Sequence, residues 1–267
     1  MNIARTVPFT LVTLACCAWT TASVGHDTWV ETNTNLVRTG DVVFIELRLG
    51  NHGNDHRDFK LASKVALEKC TWLVRDPEGK EYDLKPQAID KGYAPNEGYW
   101  SARFVPTKPG LYSVVHTADS GHLTTRGIKS GKTYFLVSDR LDKIAPASDD
   151  YTRACGHSLE IVAEANPVAP MGPGVPIKVR AMYRGKPMPE ARVSFVPQGV
   201  TLAEGFDSQY EQTTDSEGLA TFTPREGNRY LIVVHRHEPD EKGPGFDQTH
   251  YSATLTVYVP QICPCCD

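Results

Sequence analysis

Apolar and polar residues alternate along most of the chain with a period of two. Segment 41–49 follows the turn at Thr39-Gly40 and places an apolar side chain at nearly every second position, which is typical of a half-buried β-strand. No segment keeps the 3.6-residue period and capping residues of a helix beyond a turn or two at 59–67. The pattern therefore predicts an all-β protein. Further strands are predicted at 71–75, 81–84, 98–104, 110–116, 132–137, 158–162, 175–183, 191–197, 214–222, 227–235 and 251–259.

The rhythm of strands is interrupted between residues 139 and 156. This segment is polar and rich in turn-forming residues, a composition typical of a boundary. Short strands separated by glycine and proline turns on both sides predict two consecutive immunoglobulin-like sandwiches. The predicted parts are a leader at 1–25, an N-terminal sandwich at 26–140, a linker at 141–156, a C-terminal sandwich at 157–260 and a cysteine-rich tail at 261–267.

The first 25 residues are a predicted secretory leader. Arg5 precedes the apolar stretch 7–18, and residues 23–25 have the small-x-small pattern of a cleavage site. Cleavage after Gly25 makes His26 the first residue of the mature chain. The sequence therefore predicts a periplasmic or secreted protein.

Charge and hydropathy argue against nucleic-acid binding and against a membrane-spanning segment after the leader. The chain has 28 Lys and Arg against 32 Asp and Glu, for a formal net charge of −4 at pH 7, and lacks the basic surface that binds nucleic acid. After the leader, no apolar run approaches the ~20 residues of a membrane-spanning helix. Cys16 is not expected to carry a lipid anchor, because Thr13 replaces the usual aliphatic residue of a lipoprotein cleavage site.

Five cysteines follow the leader: Cys70, Cys155, Cys263, Cys265 and Cys266. An oxidising compartment favours disulfides, but an odd number leaves at least one thiol outside intramolecular pairs. The three in the tail can also bind a soft metal as thiolates. The pairing stays open.

His26 is the first candidate metal ligand. An N-terminal histidine offers a metal its α-amine, a backbone nitrogen and its imidazole, and imidazole suits nickel, cobalt, copper and zinc. The alternative interpretation is that His26 merely follows the cleavage site.

The loop 51–58 is a second candidate. Its glycine allows His52 and His56 to converge with Asp55 or Asp58, giving mixed nitrogen and oxygen ligands for a divalent transition ion. The alternative is a solvated polar loop.

A third group lies at the end of a predicted strand, at 235–240. Alternation places His235 and His237 on the same face, where both imidazoles can meet one ion. His250, just before the closing strand, can join them across the sheet. The alternative is an exposed strand end that binds nothing.

Several segments resemble known families. Segments 185–193, 214–222 and 227–233 resemble the transthyretin-like or carboxypeptidase-regulatory-like sandwich. With His26-Asp27-Thr28-Trp29 and segments 156–162, 166–167 and 251–256, nearly all of the mature chain resembles the secreted bacterial family called domain of unknown function 4198. The resemblance implies a periplasmic component of cobalt or nickel uptake. The cysteine-rich tail and the histidine-rich loop depart from the family pattern.

No motif of a hydrolase, a phosphate-binding loop or a dinucleotide site is present, so an enzyme is not the leading interpretation. We expect a divalent transition-metal binding protein, with nickel or cobalt favoured and copper or zinc as alternatives, that delivers the ion to a membrane metal transporter. Two alternatives stay open: a metal-free module that binds an envelope protein or glycan, and a copper-dependent oxidoreductase that uses His26. The expected metal ligands are His26, His52, His56, His235, His237 and His250.

Overall fold

The computed structural model describes residues 26–50, 61–92, 94–95, 97–142, 144 and 149–261. These residues form strands joined by turns and three short 3-10 segments, at Leu67–Lys69, Lys85–Gln87 and Asp149–Thr152. The prediction of an all-β fold is confirmed. The strands are β1 (Asp27–Thr32), β2 (Leu36–Arg38), β3 (Val43–Gly50), β4 (Leu61–Ser63), β5 (Cys70–Arg75), β6 (Glu81–Asp83), β7 (Ala88–Asp90), β8 (Trp100–Phe104), β9 (Gly110–His122), β10 (Thr125–Ser138), β11 (Leu159–Ala163), β12 (Ile177–Tyr183), β13 (Lys186–Pro187), β14 (Arg192–Pro197), β15 (Glu211–Thr213), β16 (Leu219–Phe222), β17 (Asn228–Glu238) and β18 (Gln248–Val259).

The strands form three sheets. A central nine-stranded sheet has the order β15-β14-β17-β18-β10-β9-β5-β6, with β2 paired to β10. A five-stranded sheet has the order β1-β3-β8-β7, with β4 paired to β3, and a four-stranded sheet has the order β11-β12-β13, with β16 paired to β12. Because β10 and β18 pair in parallel, strands from both halves of the chain share the central sheet. The division into two domains at 141–156 stays a prediction.

The two smaller sheets cover opposite faces of the central sheet. Phe135 and Val137 of β10 pack in one apolar cluster with Ile45 of the five-stranded sheet. Tyr134 and Leu136 pack in another cluster, with β11 and β12 of the four-stranded sheet. Since neighbouring residues of a strand point to opposite faces, β10 is buried on both sides. The sandwich arrangement follows from this double burial.

Strand β1 lies directly on the face of β10 and β18. A Cβ atom at Gly131 would come within 2.9 Å of Thr254 Oγ1 and 3.5 Å of Trp29 Cα, so glycine permits the close approach. The Thr254 hydroxyl donates a hydrogen bond to the carbonyl oxygen of Thr28 at 2.9 Å. Trp29 then packs against Val233 of β17. Strand β1 is thereby held against the central sheet.

Candidate functional site

The end of the central sheet near the start of β1 carries a cluster of polar side chains. His237 of β17 lies opposite His250 of β18, and His250 lies opposite Gly127 of β10. Two positions nearer to β1, a second row of residues crosses the same three strands. His235 of β17 lies opposite Ser252 of β18, and Ser252 lies opposite Lys129 of β10. These paired positions point to the same face as β1, because side chains alternate along each strand.

His237 and His250 are in contact. Their ring centroids are 4.2 Å apart at an interplanar angle of 46°. His237 Nε2 lies 2.8 Å from the Gln248 side-chain oxygen, whereas His250 Nε2 is buried and has no hydrogen-bond partner among the described residues. Burial, followed by the charges of His237 and His235, lowers the pKa of His250 to about 4. His250 is therefore neutral at neutral pH.

His235 forms a pair with Asp27, although the two residues are 208 positions apart in sequence. Its Nε2 atom lies 2.8 Å from Asp27 Oδ2, and the Asp27 side chain is only 3% exposed. Hydrogen bonds to a buried carboxylate fix both the orientation and the tautomer of an imidazole. Strand β1 thus orients a histidine of β17.

Lys129 holds the backbone of His26 at the same place. The Lys129 ammonium donates a hydrogen bond to the carbonyl oxygen of His26. Burial lowers the pKa of Lys129, and the negative charge of Asp27 opposes that shift. The backbone of His26 therefore lies within reach of the Lys129 side chain.

His52 and His56 lie outside the described residues. The two residues that flank their loop are described: Gly50 pairs with Asp27, and Leu61 pairs with Gly50. Gly50 therefore lies beside the first residue of β1, and Leu61 lies on the other side of Gly50. Whether these two histidines are ligands stays a prediction.

Of the six predicted ligands, the structure brings together His237 and His250 and places His235 two positions away along β17. The backbone of His26 contacts Lys129. Within the described ranges, no group of three His, Cys, Asp or Glu side chains could hold a metal ion. Sequence reasoning missed Asp27, Lys129 and Gln248. Asp27 could have been suspected from its position beside His26, but no local signal marks the other two.

The remaining histidines and cysteines of the described chain have other surroundings. His116 is fully buried between the Thr71 carbonyl oxygen, at 2.8 Å, and Thr28 Oγ1, at 3.0 Å. His122 is exposed at the end of β9. Cys70 and Cys155 are free thiols. The cysteines of the tail lie outside the described residues.

No helix in the described part of the chain combines the length and the apolar character needed to cross a membrane.

Solved structures resemble the chain only at low identity and low TM-score. A DUF4785 family protein from Legionella pneumophila is 12% identical at a TM-score of 0.30, covering 87% of this chain and 56% of that protein. The Yersinia pseudotuberculosis adhesin InvE is 12% identical at a TM-score of 0.21, covering 88% of this chain and 59% of that protein. Murine CEACAM1b is 9% identical at a TM-score of 0.23, covering 88% of this chain and 100% of that protein. The chain thus spans less than two thirds of the first two proteins, and similarities this low carry no argument about function.

No curated protein matches the chain. A family model does match, over residues 23–238. The matched range includes His26, His235 and His237 and ends before His250. Since the match covers most of the sequence, the chain belongs to the family described as Domain of unknown function (DUF4198).

Proposed function

We propose that this protein is exported to the periplasm or secreted, binds a divalent transition metal where β1 meets the ends of β17 and β18, and delivers the ion to a membrane transporter. Nickel and cobalt are the first candidates, from the family resemblance. The ion is cargo in this proposal and not a resident cofactor. The proposed ligands among the described residues are His26, His235, His237 and His250.

The contact between His237 and His250 carries the proposal. The two imidazoles, with ring centroids 4.2 Å apart, offer nitrogen donors from two strands at one place. His250 also has a buried nitrogen without a hydrogen-bond partner in the described structure. Buried polar atoms are nearly always satisfied, and an unsatisfied one calls for an explanation such as an ion. A neutral imidazole nitrogen is a good donor for nickel, cobalt, copper or zinc.

The surroundings of this pair fit a cation that is bound and then released. Asp27 is the buried carboxylate that touches the cluster, through His235. Lys129 places a positive charge beside the same row, at the His26 carbonyl. Among the described residues, the proposed site combines imidazole nitrogens with the Asp27 carboxylate and the Lys129 ammonium, so it holds an ion by donor bonds more than by net charge. Protons compete for such nitrogens as the pH falls, which gives a route to release.

The first test is metal binding by wild-type protein that begins at His26. We expect isothermal titration with Ni²⁺, Co²⁺, Cu²⁺ and Zn²⁺ to show tight binding of at least one ion. His237→Ala and His250→Ala should each weaken it by at least about 100-fold, the upper limit of what loss of a residue supporting a ligand costs. His122→Ala removes an exposed histidine elsewhere and serves as the matched control. No binding to any ion would contradict the proposal, and peroxide-dependent turnover with bound Cu²⁺ would favour the copper oxidoreductase.

The second test concerns the α-amine of His26. One additional alanine before His26 removes the α-amine from that position but leaves every described side chain in place. If the amine binds the ion, this variant should lose at least tenfold in affinity. An N-terminal sequence of the exported protein provides the control for correct cleavage. Equal affinity of the two forms would exclude the amine from the site while leaving the imidazole ligands in question.

A further inference from the structure

We propose that a cleft beside β15 and β16 binds a short, neutral oligosaccharide. The cleft has a volume of about 590 Å³, which is within the range of small-molecule sites. Strand β15 is the outermost strand of the central sheet at this end, and β16 belongs to the four-stranded sheet. Six of the residues that line the cleft are Gln209, Tyr210, Gln212, Thr221, Arg225 and Glu226.

The cleft is remote from the proposed metal site. Tyr230, which also lines the cleft, and His237 lie seven residues apart on β17. They are therefore about 23 Å apart along the strand and point to opposite faces of the central sheet. A sugar site here is thus independent of the proposed function.

Tyr210 supplies an apolar surface to the cleft. Its ring centroid lies 6.1 Å from that of Phe222, and Phe222 stacks on Phe195 at 5.0 Å with an interplanar angle of 17°. Phe195 and Phe222 are buried, whereas Tyr210 is half-buried. A tyrosine ring supported by packed aromatic rings can lie against the C–H groups of a sugar, while its hydroxyl stays available to polar groups.

Gln212 is a polar residue at an inward-facing position of β15. It lies opposite Val193, whose side chain belongs to the apolar core between the central and the four-stranded sheets, and paired residues share a face. Alternation alone would place an apolar side chain there. A glutamine amide both donates and accepts hydrogen bonds, as a sugar hydroxyl does. Gln212 therefore suits a ligand that carries hydroxyls.

The segment that carries Gln209 and Tyr210 is fixed by two carboxylates. Asp207 Oδ1 accepts hydrogen bonds from the backbone N–H groups of Gln209 and Tyr210, at 2.9 and 3.2 Å. Glu211 is only 1% exposed and accepts hydrogen bonds from the Ser194 hydroxyl at 2.7 Å and from the Asp207 N–H group at 2.6 Å. A wall that is ordered before binding loses little conformational entropy when a ligand arrives.

The charges of the lining favour an uncharged ligand. Arg225 and Glu226 are the charged residues among those that line the cleft, and their formal charges cancel. Ser208, Thr221 and Thr223 add hydroxyls to the same lining. An acidic or basic ligand would meet one like and one opposite charge, whereas a neutral sugar can pair with the amides and hydroxyls.

The test is titration of protein that begins at His26 with three neutral trisaccharides: maltotriose, cellotriose and chitotriose. A chelator is present throughout, so the result does not depend on the proposed metal site. In ¹H–¹⁵N spectra of labelled protein, at least one trisaccharide should bind with a dissociation constant of about 1 mM or tighter. The side-chain amide signals of Gln209 and Gln212 should shift.

Variants assign the contacts. Tyr210→Ala should weaken binding by at least about tenfold, because it removes the stacking ring, whereas Tyr210→Phe keeps the ring and should bind within a few-fold of wild type. Gln212→Ala should weaken binding without changing the aromatic core. Tyr258→Ala is the matched control, because it removes a tyrosine that is 43% exposed on the face that carries β1. Thermal denaturation verifies that each variant folds.

Three results would overturn the proposal. The first is the absence of binding by all three trisaccharides. The second is unchanged affinity in both Tyr210→Ala and Gln212→Ala. The third is binding of an uncharged tripeptide that shifts the same amide signals while the sugars do not, which would assign the cleft to peptides.

Discussion

Glu160→Gln is expected to lower the free energy of unfolding by about 3–5 kcal/mol, because it leaves a buried ammonium without its counter-charge. Glu160 Oε1 lies 2.6 Å from the Nζ atom of Lys132, and both side chains are only 2% exposed. Burial opposes the charged form of both groups, but the charge of Lys132 lowers the pKa of Glu160. Interactions with Tyr134, Cys155 and Glu160, in that order, raise the pKa of Lys132. The pair is therefore charged in the folded protein.

The carboxylate of Glu160 also holds backbone groups. Its removal should therefore cost more free energy of unfolding than removal of the Lys132 ammonium. It accepts hydrogen bonds from three successive backbone N–H groups, those of Cys155, Gly156 and His157, at 2.6, 3.0 and 3.2 Å. Lys132→Met leaves these bonds in place, so its cost should be smaller than that of Glu160→Gln. The arrangement ties the end of the predicted linker to β10 of the central sheet.

The matched control is Glu164→Gln, the same change at a half-exposed position. Glu164 lies 2.6 Å from Arg180, but the two side chains are 27% and 25% exposed, so solvent screens the pair. The loss there should stay within about 1 kcal/mol. Urea denaturation at pH 7 measures both variants. Equal losses at the two positions would show that the buried pair contributes no more than a surface pair.

Acid is expected to destabilise the fold through His116, by about 3 kcal/mol between pH 6.5 and pH 4. Burial lowers the pKa of His116 from 6.5 to about 4. Because the unfolded chain takes up the proton first, the stability from neutral His116 is complete above pH 6.5. It is lost as the pH falls toward 4, at about 1.4 kcal/mol for each pH unit.

Comparison with His116→Gln isolates this effect, since all other groups titrate in both proteins. Glutamine can still meet the Thr71 carbonyl oxygen and the Thr28 hydroxyl, which contact the two ring nitrogens of His116, but it does not titrate. Denaturation curves at pH 7, 6, 5 and 4.5, with a chelator present, should show a steeper decline for wild type. Parallel curves for the two proteins would mean that His116 is protonated without cost in the folded state.

Period-two alternation was sufficient to predict most long strands. The predicted segment 41–49 corresponds to β3 at Val43–Gly50, and segment 227–235 corresponds to β17 at Asn228–Glu238. Strand β1 was missed, because Asp27 and Glu31 break the apolar pattern although all six residues of the strand are buried. Their partners are distant in sequence: His235 for Asp27, and Arg229 together with a β3 arginine for Glu31. A local pattern cannot reveal that such charges are satisfied.

One part of the candidate site can be predicted from local sequence, and another part cannot. Alternation within β17 predicts that His235 and His237 share a face, because that property depends only on the period of a strand. It cannot predict that His250 lies opposite His237, since that depends on which strand pairs with which and in what register.

By itself, the sequence determined the all-β class, most strand positions and the shared face of two histidines, since all of these follow from side-chain alternation over a few neighbouring residues. Only the tertiary structure decided that β10 pairs with β18 and that β1 crosses their face, bringing Asp27 to His235 over 208 positions. Those contacts depend on the packing of whole sheets, which no short stretch of residues specifies.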